Sequence, residues 1–152
     1  MENHAQHVAG PRYGLTPIGI IRSPFKSPGD APRQGTSQGA EGTIEVFQEY
    51  RDGLHGIDAC THLILVYWMD KARRDVLRAT PPSDTVPRGV FSTRSPHRPN
   101  PIGLSVVELV ALHELTVRVR GLDAVDGTPV LDIKPYVAAL DSVPDATINR
   151  AR

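Results

Sequence analysis

Apolar and polar residues alternate along most of the chain, and β-branched residues fill many of the apolar positions. A period of two is that of a strand, and no long stretch carries the three-to-four spacing of an amphipathic helix. The pattern predicts strands at Pro17–Arg22, Thr43–Phe47, Thr61–Met69, Gly89–Thr93, Ile102–Val110, Leu115–Arg120 and Val130–Ile133. In Thr61–Met69, His62, Ile64, Val66 and Trp68 share one face and Leu63, Leu65, Tyr67 and Met69 the other. Both faces are largely apolar, so this strand is expected to be covered on both sides. Only Asp70–Ala79 has helical character, and Pro81 and Pro82 would close it. Asp126-Gly127, between two apolar runs, signals a tight hairpin turn. Short strands separated by turn residues predict a mainly β fold: a small single-domain β-barrel of about seven strands with long functional loops.

Two connections depart from ordinary loops. Residues 23–42 contain three prolines and four glycines and show no periodicity, and a structureless connection of that length is usually functional or disordered. In Arg94–Pro101 three prolines in eight residues fix φ and bias their neighbours toward extended backbone. Arg94, His97, Arg98 and Asn100 are thus displayed from a stiff loop with little freedom to lose on binding.

Length and composition narrow the picture. At 152 residues with 39% hydrophobic content, one domain can bury a core without a disulfide or a metal. The longest apolar run, Leu63–Met69, is seven residues, where a spanning helix needs about twenty. No secretory or transit pattern opens the sequence, so a cytoplasmic, non-membrane protein is expected. The single cysteine, Cys60, excludes an internal disulfide and reads as a buried small hydrophobe; the six histidines lack zinc spacing, so no metal is expected.

The 17 basic and 17 acidic residues cancel overall but not locally. Residues 71–98 carry seven basic and two acidic side chains, residues 34–70 one and six, and residues 123–145 one and five. The basic stretch is either a solvated loop or a surface for a phosphate-rich partner.

No dinucleotide fingerprint, P-loop or nucleophile elbow is present, and no Cys–His couple stands out. An enzyme of this sequence would take its reactivity from a bound cofactor. Arg33, Gln34, Asp70, Arg94, Asp123 and Asp126 suit a zwitterionic nucleoside, through guanidinium–carboxylate forks, carboxylates facing cations or ribose hydroxyls, and an amide at a base edge. Asp126 also reads as a turn former and Asp70 as a strand terminator.

The strings IGIIRSPF (18–25), APRQG (31–35), THLILVYW (61–68), GVFSTRSPHRPNPIGLSVVEL (89–109) and GLDAVDGTPVLDIKPYV (121–137) closely resemble the TsaA-like, or TrmO-like, tRNA methyltransferase family. The resemblance spans residues 15–145, with possible tails at 1–14 and 146–152. It implies a small β-barrel enzyme that binds S-adenosylmethionine, is dimeric, and methylates the exocyclic amino nitrogen of threonylcarbamoyl-adenosine beside the anticodon of tRNA. Carried over by position, the cofactor pocket falls on Pro32, Arg33, Gln34, Met69, Asp70, Arg94, Leu104, Leu122, Asp123 and Asp126. Lys71, Arg73, Arg74, Arg78 and Arg98 are the candidate tRNA contacts. Methyl transfer from a sulfonium rests largely on alignment, with Asp126 or Asp70 available as a base. Some relatives carry a further carboxy-terminal domain, so added tRNA contacts from one are not expected in this sequence. Methylation of a small metabolite and non-catalytic cofactor binding stay open as alternatives.

Overall fold

A computed structural model describes residues 10–31 and 39–149. Eight strands run through them: β1 (Gly19–Arg22), β2 (Ala40–Val46), β3 (His62–Trp68), β4 (Arg78–Ala79), β5 (Arg88–Gly89), β6 (Ile102–His113), β7 (Thr116–Leu122) and β8 (Pro129–Pro135). Six form a closed antiparallel barrel in the order β1-β2-β7-β6-β3-β8, and β8 returns to β1. β4 and β5 form a separate two-stranded arm between β3 and β6.

Alternation drives the closure. Ile21, Ile44, Leu63, Leu65, Val107, Val117, Val119 and Val130 point inward and are fully buried or nearly so. Each such aliphatic side chain contributes roughly 1.5–3 kcal/mol by leaving water, and closing the ring leaves no free sheet edge. Tyr67 and Ser105 also face inward, near the end where β3 leaves the barrel.

Several sequence expectations change. The helix over Asp70–Ala79 is absent: the segment is a series of turns leading into β4. Its backbone is tied instead to the proline loop, since the Arg73 N–H donates to His97 Nδ1 at 2.9 Å and the Arg98 N–H to the Arg73 carbonyl at 3.0 Å. The strand over Gly89–Thr93 becomes a 3-10 turn, Val90–Ser92, after the end of β5. That turn is pinned because the Val90 carbonyl accepts from the Thr93 N–H, the Thr93 hydroxyl and Arg98 Nη2. Asp126-Gly127 does turn, with Gly127 at φ 84°, but it is no hairpin: β7 pairs with β2 and β6, and β8 with β1 and β3. Cys60 is half-buried at the opposite end of the barrel.

The outer face of β3 is covered less than its sequence suggests. Ile64, Val66 and Trp68 are half-buried and lie opposite Val106, Leu104 and Ile102 of β6, each of which is exposed. The result is a continuous apolar stripe on the outside of the barrel.

Candidate active-site cleft

A cleft of about 800 Å³ opens at one end of the barrel, between the inner wall, the segment following β3 and the proline loop. That volume lies within the range of small-molecule sites. Tyr67, Met69, Ile102, Gly103, Leu104, Ala124 and Val125 give it apolar walls, and Asp70, Lys71, Arg94, His97, Arg98 and Asp123 bring charge and hydrogen-bonding groups.

The strands position these groups by simple means. Met69 and Asp70 follow the last residue of β3, and the Met69 N–H is held by the Pro101 carbonyl at 2.8 Å. Gly121, at φ 98°, turns β7 at a bulge where its pairing with β2 shifts by one residue, and Asp123 emerges just beyond it. Asp123 Oδ1 accepts from the Tyr67 hydroxyl at 2.8 Å and the Ser105 hydroxyl at 2.6 Å. Arg94 reaches the rim from the other side, with Nη2 at 3.4 Å from the Leu104 carbonyl. Burial and the Asp123 charge push the Tyr67 hydroxyl well above the ordinary tyrosine range, so it is a neutral donor.

Of the sequence-derived cofactor residues, Met69, Asp70, Arg94, Leu104 and Asp123 line this one cleft. Leu122 does not; it is fully buried inside the barrel. Asp126 is outside the cleft walls as well. Its Oδ1 accepts the Ser23 N–H at 3.0 Å and its Oδ2 pairs with Lys26 at 3.1 Å, which together hold its carboxyl below the usual aspartate range. Pro32, Arg33 and Gln34 lie outside the described residues.

The basic residues divide into groups. Lys71 and Arg98 line the cleft, whereas Arg73, Arg74 and Arg78 stand on the surface beyond it. Arg73 forks onto Asp75 at 3.1 and 2.9 Å, which offsets its charge. Arg74 lies over the Trp68 ring at 5.2 Å and donates to the Pro99 carbonyl at 2.8 Å; Arg78 donates to the Pro87 carbonyl and Arg98 to those of Val90 and Thr93. Bonds to carbonyls brace these side chains without cancelling their positive charge. Phe91, at the apex of the pinned 3-10 turn, is 84% exposed.

Tyr67, Gly103 and Ser105 are not among the sequence-derived site residues, although their signal is legible: Gly103 and Ser105 are small residues at inward positions of a strand whose next inward residue, Val107, is apolar. Among the described residues, no group of three or more His, Cys, Asp or Glu is arranged to hold a metal ion, and no helix is long and apolar enough to cross a membrane.

The model of the tRNA-methyltransferase O N-terminal domain matches residues 20–142, which contain the barrel strands but for Gly19 at the start of β1, and the cleft residues named above. The chain belongs to this family. Its relatives include an S-adenosyl-L-methionine-binding protein of Archaeoglobus fulgidus, 56% identical over 85% of this chain and 93% of that protein. The tRNA (adenine(37)-N6)-methyltransferase of Escherichia coli is 40% identical over 89% of this chain and 62% of its own length. Among solved structures, TrmO of Pseudomonas aeruginosa superposes with a TM-score of 0.78 at 37% identity, over 95% of this chain and 63% of that one. The chain thus spans somewhat less than two thirds of the two methyltransferases and nearly all of the binding protein.

Proposed function

We propose that this family member is a cytoplasmic, homodimeric methyltransferase that uses S-adenosylmethionine to methylate the exocyclic amino nitrogen of threonylcarbamoyl-adenosine next to the anticodon of tRNA. The observation that carries the proposal is the cleft itself, where a guanidinium (Arg94) and a carboxylate (Asp123) stand among apolar walls at the mouth of a closed barrel. A zwitterion joined to a nucleoside needs this donor set: one fixed positive charge, one fixed negative charge and apolar surface for the rest. The names of the relatives from A. fulgidus and E. coli support the cofactor and the substrate class.

S-adenosylmethionine brings a methyl group already activated on a cationic sulfur, whose departure as a neutral thioether needs no acid. The protein's task is to hold two reactants in line and to keep water out. Arg94 suits the cofactor's carboxylate, and Met69, Ile102 and Leu104 suit its apolar parts. Asp70, exposed at the cleft, is the group to take a proton from the amino nitrogen; Asp126, committed to Ser23 and Lys26, is not.

The RNA side of the proposal draws on Lys71, Arg74, Arg78 and Arg98, which keep their charge, and on Phe91, an exposed ring suited to stacking an unpaired base. The dimer draws on the apolar stripe of Val66, Trp68, Leu104 and Val106, which a second copy would cover. Leu104 belongs to both stripe and cleft, so a partner on that face would help close the site.

Methyl transfer from labelled S-adenosylmethionine to tRNA tests the proposal. Label is expected in tRNA carrying threonylcarbamoyl-adenosine from cells lacking this activity, and not in an unmodified transcript, with Arg94→Ala reducing it at least tenfold. Absence of label from every tRNA would sink the RNA assignment.

A further inference from the structure

Beside Arg94, the mouth of the barrel holds a buried pair of hydroxyls. Tyr67 and Ser105 are 5% and 6% exposed, their oxygens are 3.0 Å apart, and both reach Asp123 Oδ1. Each hydroxyl owns one proton. When both protons go to Oδ1, that oxygen is acceptor only and the carboxylate needs no proton of its own.

The strand pairing is shaped around this arrangement. Gly103 lies directly opposite Tyr67 in the β3–β6 ladder, and any side chain there would overlap the Tyr67 ring. Glycine lets the ring lie flat across β6 so that its hydroxyl meets Ser105, two residues along the same inward face, and Asp123 beyond it. Three residues from two strands thereby aim one carboxylate, which stands just past the end of β7.

Barrel stability alone does not call for such a cluster. Replacing a buried polar cluster by well-packed apolar groups of equal volume is often neutral or stabilising. The cluster lines the cleft through Tyr67 and Asp123, within the field of the Arg94 guanidinium. With both hydroxyl protons spent on Oδ1, the cleft offers a ligand an opposed pair of fixed charges, which matches the amino-acid end of a sulfonium cofactor. That end carries one carboxylate and two cationic centres.

We propose that Tyr67 and Ser105 are positioning residues that aim the Asp123 carboxylate at the cationic, methionine-derived end of S-adenosylmethionine rather than at its ribose. The proposal rests on the cofactor assignment made above.

Two ligands separate these ends. Methylthioadenosine keeps the adenine, ribose and thioether of the cofactor and lacks its sulfonium charge and amino-acid arm. Calorimetric titration of both into wild type, Tyr67→Phe, Ser105→Ala and Ser105→Thr is expected to show S-adenosylmethionine weakened about tenfold in the first two variants. Methylthioadenosine affinity should stay within about twofold of wild type, and Ser105→Thr should restore cofactor binding, because each lost bond is to the group that meets the cation. Asp123→Asn, which keeps the shape and removes the charge, should give the same asymmetry and serves where a hydroxyl variant does not fold. Equal loss for both ligands, or no loss for either, overturns the proposal while leaving the cofactor assignment intact. Failure of wild type to bind S-adenosylmethionine overturns both.

Discussion

Asp123 and Asp126 stand three residues apart and are divided by their partners. Asp126 caps the Ser23 N–H and pairs with Lys26, so it fixes the segment after β1. Its depressed pKa means that this tie is present above the ordinary aspartate range and is lost as pH falls below it. Asp123 faces two hydroxyls and the cleft. The sequence could nominate both as carboxylates beside a glycine turn, but a carboxylate's role depends on which hydrogens reach it, and those come from β3, β6 and the segment after β1. Tyr67 carries its own pH signature. Its hydroxyl is raised in the folded state, so the stability it confers is complete below about pH 10, where unfolded tyrosine titrates, and declines as pH rises further. Urea denaturation at pH 8 and pH 11 should show a loss at the higher pH that is smaller in Tyr67→Phe. An equal loss in both would mean that the hydroxyl is not the titrating group.

At the level of elements, the alternating strands were the most legible feature, because inward apolar positions state their period locally. The basic segment was the least legible. DKARRDVLRA has a composition that favours helix, but the backbone of Arg73 takes its partners from His97 and Arg98, more than twenty residues away, and local propensity does not register them. The basic residues also differ in what their loss would cost. Arg98→Ala should destabilise the protein by about 1–3 kcal/mol, read as a lower denaturation midpoint, because it strips a charged donor from the Val90 and Thr93 carbonyls. Changing Arg74 and Arg78, which stand beyond the cleft, together to Ala should instead flatten the salt dependence of tRNA binding and leave the cofactor's affinity nearly unchanged. A parallel loss of both affinities would assign these two residues to the fold.

For the whole molecule, a β-barrel was legible from strand number and turn spacing, but the ring order β1-β2-β7-β6-β3-β8 was not, since it depends on pairings between distant segments. The exposed stripe on β3 and β6 was hidden for a related reason: an apolar face reads the same in sequence whether a helix, a sheet or a second molecule covers it. Val106→Lys, on the stripe and away from the cleft walls, should convert a dimer to a monomer in sedimentation equilibrium with the barrel's circular dichroism unchanged. A wild-type monomer would dismiss the pairing.

The seam between β1 and β8 joins the first and last strands of the ring, pairing Gly19 with Val130 and Ile20 with Pro129, with the Ile18 N–H on the Val130 carbonyl and the Ile21 N–H on the Thr128 carbonyl beside them. During synthesis on the ribosome, β1 and β2 must therefore wait for β8, more than eighty residues later, before their inner faces are sealed. Asp123 enters the cleft only a few residues before β8 emerges. The capacity to hold the nucleoside therefore arrives together with the finished ring, once β8 has been made, rather than along the way.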